Sequence, residues 1–187
     1  FSNMKMQAIQ ELNYIDAQKT LFLCSHRFWE RDTDYGNMRG GISFTDLPIQ
    51  SIIYPSDHDF STAKGYSSPE EPGVLTASYN LAQNAVRLGG MDPEKRFELI
   101  CRNVEEVHGL PRGFLNSLVE KHKTVHWNNE PNFRGGFALA YPGQKPLFSY
   151  EMLQPEYNGR AFFDGWMQGA LYSGKAAANS LAENFRG

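Results

Sequence analysis

The sequence predicts a mixed α/β fold. Three observations carry it: short apolar runs of strand length at residues 20–24, 51–55 and 74–79, a capped amphipathic helix over 92–109, and an Ala/Gly-rich helix that closes the chain from Gly165. With no internal repeat and no low-complexity linker, the elements read as one structural unit. Residues 6–12 form a short helix. The turn at Asp16-Ala17 leads into strand 20–24, apolar almost throughout and so predicted buried. The cluster Arg27-Phe28-Trp29-Glu30 follows, then a loop with Gly36, Gly40 and Gly41, and the segment 43–48 running into strand 51–55. Residues 56–72 are polar and loop-like, and 74–79 alternates as a strand. Asp92 supplies an N-cap and Pro93 the first helical position of a helix that turns Phe97, Ile100, Cys101, Val104 and Val107 inward, and Gly109 ends it. A short helix at 111–120, a strand at 124–127, a backbone-close turn and strand at 135–141, and a strand at 160–163 complete the pattern.

The last helix begins almost as bare backbone. Small residues at Gly165, Gly169, Ala170 and Ser173 let a large group approach its N-terminal end, where free N–H groups and the positive end of the macrodipole favour electron-rich atoms. A planar cofactor fits there; a tightly packed Ala/Gly helix fits the same spacing. Ala176, Ala177, Ala178, Leu181, Ala182 and Phe185 give an apolar stripe expected to hold the helix against a core.

Composition narrows the partners. With 41% hydrophobic and 21% charged residues the chain is globular, and a net charge of -3 without a block of like charges offers no footprint for nucleic acid or an anionic membrane. No apolar run reaches membrane-spanning length, and the start at Phe1-Ser2-Asn3 reads as a cut end. Cys24 and Cys101 sit in apolar runs, as buried free thiols do. His26, His58, His108, His122 and His126 lack metal-ligand spacing, so no metal site is assigned.

Several separated blocks together resemble the flavin-dependent amine oxidase superfamily, most closely its L-amino-acid oxidase branch. They are Lys19 through Trp29-Glu30, Gly40-Gly41-Ile42-Ser43-Phe44-Thr45-Asp46-Leu47-Pro48, Tyr54-Pro55, Ala77-Ser78-Tyr79, Trp127 through Gly135-Gly136-Phe137, and Gly165-Trp166-Met167-Gln168-Gly169-Ala170, in the family's order over nearly the whole chain. The resemblance implies an α/β fold made of a mixed α+β substrate-domain sheet over 1–157 and, over 158–187, a C-terminal strand and helix completing a Rossmann-like FAD-binding domain. It also implies roles. Lys19 matches the lysine that holds a water beside the flavin. Tyr79 and Trp166, with Gly165, match positions lining the main-chain end of the substrate, and Phe137 one facing its side chain, which suggests apolar or aromatic L-amino acids. Trp127 matches a tryptophan packed near the flavin ring, and Gly165, Trp166, Met167, Gln168, Gly169 and Ala170 the helix start aimed at it. Covalent-flavin relatives carry a cysteine at the Phe137 position and a tyrosine at the Ala138 position; this chain has neither, so FAD is expected to be non-covalent.

The activity so implied is oxidative deamination of an L-amino acid to a 2-oxo acid, ammonia and hydrogen peroxide, with O2 as electron acceptor. An amino-acid 2-monooxygenase giving an amide, and a non-catalytic remnant or binding subunit, are the alternatives. A Rossmann Gly-x-Gly-x-x-Gly turn is not in the chain. A companion chain carrying it is therefore expected, in a homo- or hetero-oligomer made by proteolytic processing. Phe162-Phe163 runs directly into Asp164-Gly165, where relatives carry an Ala-Gly-Glu stretch and further residues.

Overall fold

The structure is a computed structural model that describes residues 1–34, 36–57, 67–133, 135–153 and 166–184, with the side chains of 152, 153, 166–170 and 184 excluded. It divides into two compact units, Asp16–Gly135 and the pair of segments Phe1–Ile15 with Gly136–Gly187. The single unit read from the sequence is thereby corrected. A short β1 (Tyr14–Ile15) pairs antiparallel with β7 (Phe137–Ala138), tying the first residues to a segment distant in sequence, a long-range pairing that local composition does not reveal. The expected boundary at 157/158 falls outside the described residues.

In the larger unit, β2 (Ala17–Cys24), β3 (Gly41–Phe44), β4 (Ser51–Tyr54), β5 (Gly73–Leu81) and β6 (Val119–His126) form an antiparallel sheet of order β3-β4-β5-β2-β6. On β2, Gln18, Thr20, Phe22 and Cys24 are buried while Lys19, Leu21 and Leu23 are half-buried. The strand expected to be buried throughout thus has one core face and one open face, as the two-residue period of a pleated strand requires. Helices α2 (Ala82–Gly89), α3 (Pro93–His108) and α4 (Phe114–Leu118) lie within this unit. Its core joins Phe22, Phe28, Trp29, Ile52, Leu75, Leu88, Ile100, Val104 and Leu115. Helix α3 starts where Asp92 accepts from the Glu94 and Lys95 N–H groups and stops at Gly109 in the left-handed region (φ 64°). From α3, the buried Glu105 carboxylate accepts from the Gly113 and Leu115 N–H groups at 3.0 and 2.9 Å, which starts α4. Burial pushes the Cys24 and Cys101 thiols each up to about 12, with nearby carboxylates adding to it.

Arg27 organises the approach to β5. It is 1% exposed, and all five of its N–H donors are engaged: Nε to Glu30 Oε2 (2.8 Å), Nη1 to the carbonyls of Glu71 and Pro72, and Nη2 to Ser67 Oγ and the Ser68 carbonyl. Gly73 packs on its stem; a Cβ there would lie 2.5 Å from Arg27 Cγ. The two edges of the sheet differ. β6 exposes Glu120, Lys121, His122 and Lys123, whereas β3 exposes Ile42 (52%) and Phe44 (82%).

In the smaller unit, α1 (Asn3–Glu11) contacts α5 (Gln144–Leu153), burying Lys5, Ala8 and Phe148. The Lys5 ammonium donates to the Glu151 carbonyl. The final helix, α6, spans Trp166–Asn184. Its predicted stripe is not buried among the described residues: Ala176, Ala177 and Leu181 are half-buried, Ala178 and Ala182 exposed. Alanine methyls offer little apolar area, and the buried side chains of this unit come from α1 and α5 instead. No helix of the described residues is long and apolar enough to cross a membrane.

Candidate active site

The open face of the sheet gathers the residues with chemistry. Lys19 on β2 pairs in register with Tyr79 on β5 and with Val125 on β6, so all three side chains share one face. A bulge makes this possible. Val74 and Thr76 point to the open side and Leu75 and Ala77 to the core, and strict alternation would carry Tyr79 inward with Ala77. The register between β2 and β5 shifts between Thr20 and Leu21, leaving Ala77 unpaired, so Ser78 and Asn80 turn inward and Tyr79 outward beside Lys19. Two side chains support β5 after the bulge: Ser51 Oγ donates to the Tyr79 carbonyl (3.0 Å) and Gln50 Oε1 accepts from the Leu81 N–H (2.7 Å).

At the end of β6 the chain enters a 3-10 turn, Trp127–Asn129. There the Lys19 ammonium stands 5.8 Å from the centre of the Trp127 ring, within cation–π range, and Phe133 packs edge-on against the same indole at 5.1 Å. Beneath Lys19 the core side is polar. Gln18 accepts from Ser78 Oγ and Asn80 Nδ2 and donates to Thr20 Oγ1, which bonds Thr124 Oγ1 at 2.7 Å. These bonds join β2 to both neighbours at the register that carries Lys19.

Lys19, Tyr79 and Trp127 therefore come together on one surface. Phe137 lies on β7 in the smaller unit, opposite Ile15. Gly165 falls outside the described residues. Trp166, Met167, Gln168, Gly169 and Ala170 form the first turns of α6, with their side chains excluded. Sequence reasoning missed the bulge, the Gln18 network and the bond from His126 Nε2–H to Asp16 Oδ2 at 2.5 Å. Of the other histidines, buried His108 bonds Tyr54 OH (2.9 Å) and His122 stacks on Phe97. Among the described residues no group of His, Cys, Asp and Glu gathers as a metal centre.

Chemically, an ammonium against an indole wall is able to hold a water or a polar ring edge, and a phenol beside it is able to donate to a carboxylate. Comparison with known proteins identifies the family. Residues 2–182 match the family of flavin containing amine oxidoreductases, and the chain belongs to it. Flavin is the cofactor that names this family. An L-amino-acid oxidase of Siganus canaliculatus is 32% identical over 95% of this chain and 32% of that protein. An L-amino-acid oxidase of Sistrurus catenatus edwardsii is 26% identical over 96% of this chain and 34% of that protein. Among solved structures, putrescine oxidase bound to putrescine shares the fold, with a TM-score of 0.67 at 16% identity over 97% of this chain and 38% of that one. The chain spans about a third of the length of these relatives.

Proposed function

We propose that this chain forms part of an FAD-dependent L-amino-acid oxidase, which converts an L-amino acid to a 2-oxo acid, ammonia and hydrogen peroxide. The observation that carries the reading is the Lys19 ammonium over the Trp127 ring with Tyr79 in register beside it. The names of the relatives favour an amino acid over a simple amine as substrate. Bound flavin supplies the two-electron oxidation of the substrate Cα–N bond. Tyr79 donates from its hydroxyl to the substrate carboxylate, Lys19 holds a water at the reacting edge, and Trp127 excludes bulk water from one side. Phe137, Gly165 and Trp166 are assigned to the substrate, and Trp166 to Ala170, through backbone N–H groups, to the ring end of FAD. The cofactor is held non-covalently, and the nucleotide end of its site comes from a companion chain or segment with the Rossmann turn. In this scheme residues 1–157 serve mainly the substrate and 158–187 complete the cofactor domain.

Lys19→Met in the native, flavin-loaded complex tests it. Turnover of L-phenylalanine is expected to fall severely while flavin stays bound, and unchanged turnover refutes the assignment. Denaturing precipitation is expected to release yellow cofactor, and product analysis to find 2-oxo acid, not the amide of a monooxygenase. A non-catalytic subunit is favoured by one observation, the direct run from Phe163 to Asp164. A native complex without flavin absorption bands would establish that reading instead.

A further inference from the structure

We infer that Asp16 and His126 form a positioning pair that sets Trp127 against Lys19, an inference that rests on reading this face as the active site. Asp16 lies just before β2, and three elements meet on it. Its Oδ1 accepts from the Ala17 N–H (2.8 Å), its Oδ2 accepts from His126 Nε2–H (2.5 Å), and its carbonyl accepts from the Ala82 N–H (2.9 Å). His126 is the last residue of β6 and directly precedes Trp127. Ala82 opens α2 immediately after β5, the strand that carries Tyr79, and is held in the left-handed region at φ 53°. One carboxylate residue thus joins the ends of the strands leading to Lys19, Tyr79 and Trp127.

The pair is closed off and immobilised. The His126 and Asp16 side chains are 9% and 12% exposed. A Cβ on Gly89 would lie 2.2 Å from His126 Nδ1, so the bare backbone at the end of α2 lies against the imidazole. Arg96 Nη1 in turn donates to the carbonyls of Leu88, Gly89 and Met91, fixing that backbone. His126 Nδ1 is buried without a partner, so its bond to Asp16 and the packing of Gly89 set the ring orientation. A buried pair of this kind is a poor source of stability compared with apolar residues of similar volume. What it does supply is a fixed direction for the chain entering the Trp127 turn.

The experiment uses the full chain labelled with 5-fluorotryptophan, and the native flavin-loaded complex with L-phenylalanine as probe. Trp127 gives a fluorine resonance identified by its loss in Trp127→Phe. His126→Leu is expected to shift or broaden it. His126→Gln, which keeps a donor for Asp16, is expected to restore it. In the complex, His126→Leu is expected to lower kcat on the order of tenfold with KM held within about twofold, and His126→Gln to recover it. An unmoved Trp127 resonance in His126→Leu overturns the inference. A moved resonance with unchanged turnover keeps the pair as a positioning device for Trp127 and overturns the reading of this face as the active site. Should His126→Leu fail to fold, Asp16→Ala, which leaves His126 Nε2–H without its acceptor, replaces it: a still resonance again overturns the pair, and a moved one with full turnover again overturns the site.

Discussion

Replacing Arg27 with methionine tests whether the segment entering β5 is held by one side chain. Methionine keeps much of the apolar stem of Arg27 and deletes a guanidinium whose five donors reach Glu30, Ser67 and three carbonyls. The Glu30 side chain is 8% exposed, so the change removes one partner of a buried carboxylate; breaking a buried pair from one side costs about 3–5 kcal/mol. The Ser68, Glu71 and Pro72 residues are exposed and rehydrate, so little is added for their carbonyls. With a urea dependence of about 2 kcal/mol per molar, a loss near 4 kcal/mol moves the unfolding midpoint down by about 2 M. Equilibrium urea unfolding followed by tryptophan emission measures it. Arg27→Met with Glu30→Met, which removes both charges, is expected to cost less than Arg27→Met alone. A single variant within about 1 kcal/mol of the parent, or a double variant that loses more than the single, refutes the reasoning.

Three other outcomes are expected. Glu105→Ala strips the acceptor from two N–H groups at the start of α4 and costs about 2–4 kcal/mol in the same assay, with Glu105→Gln about half of that because one acceptor oxygen remains. Ala82→Gly relieves a left-handed residue and is neutral or stabilising by up to about 1 kcal/mol, whereas Ala82→Val destabilises. Cys24 and Cys101 resist a thiol reagent until the protein unfolds. Because the folded thiols keep their protons up to about 12 and unfolded ones ionise near their ordinary value, their contribution is complete below about 9 and is lost as the pH climbs toward 12; stability that rises over that interval contradicts it.

What was legible in the sequence is what local chemistry writes. Asp92, Pro93 and Gly109 mark both ends of α3, because capping and the left-handed stop are decided within a turn of the chain. α2 carries no such mark: its N-cap is Leu81, without a side-chain hydrogen bond, and it follows a strand without a loop. Tyr79 is the sharper case. Resemblance selected it, whereas alternation from Leu75 and Ala77 would have buried it, and only the bulge reconciles the two. Asp16 and His126 stand 110 residues apart, so their bond leaves no pattern in either neighbourhood. Lys19 and Trp127 stand far apart in the sequence; register and the turn after β6 bring them together.

The unequal edges of the five-stranded sheet give the larger unit a direction for strand addition. At β6 an incoming strand meets Lys121 and Lys123 and must neutralise or desolvate both before any ladder forms. At β3 it meets the exposed apolar side chains of Ile42 and Phe44. Main-chain pairing with another polypeptide is therefore one-sided, and a lysine in place of Phe44 is the smallest change that closes the remaining edge without touching the face that carries Lys19.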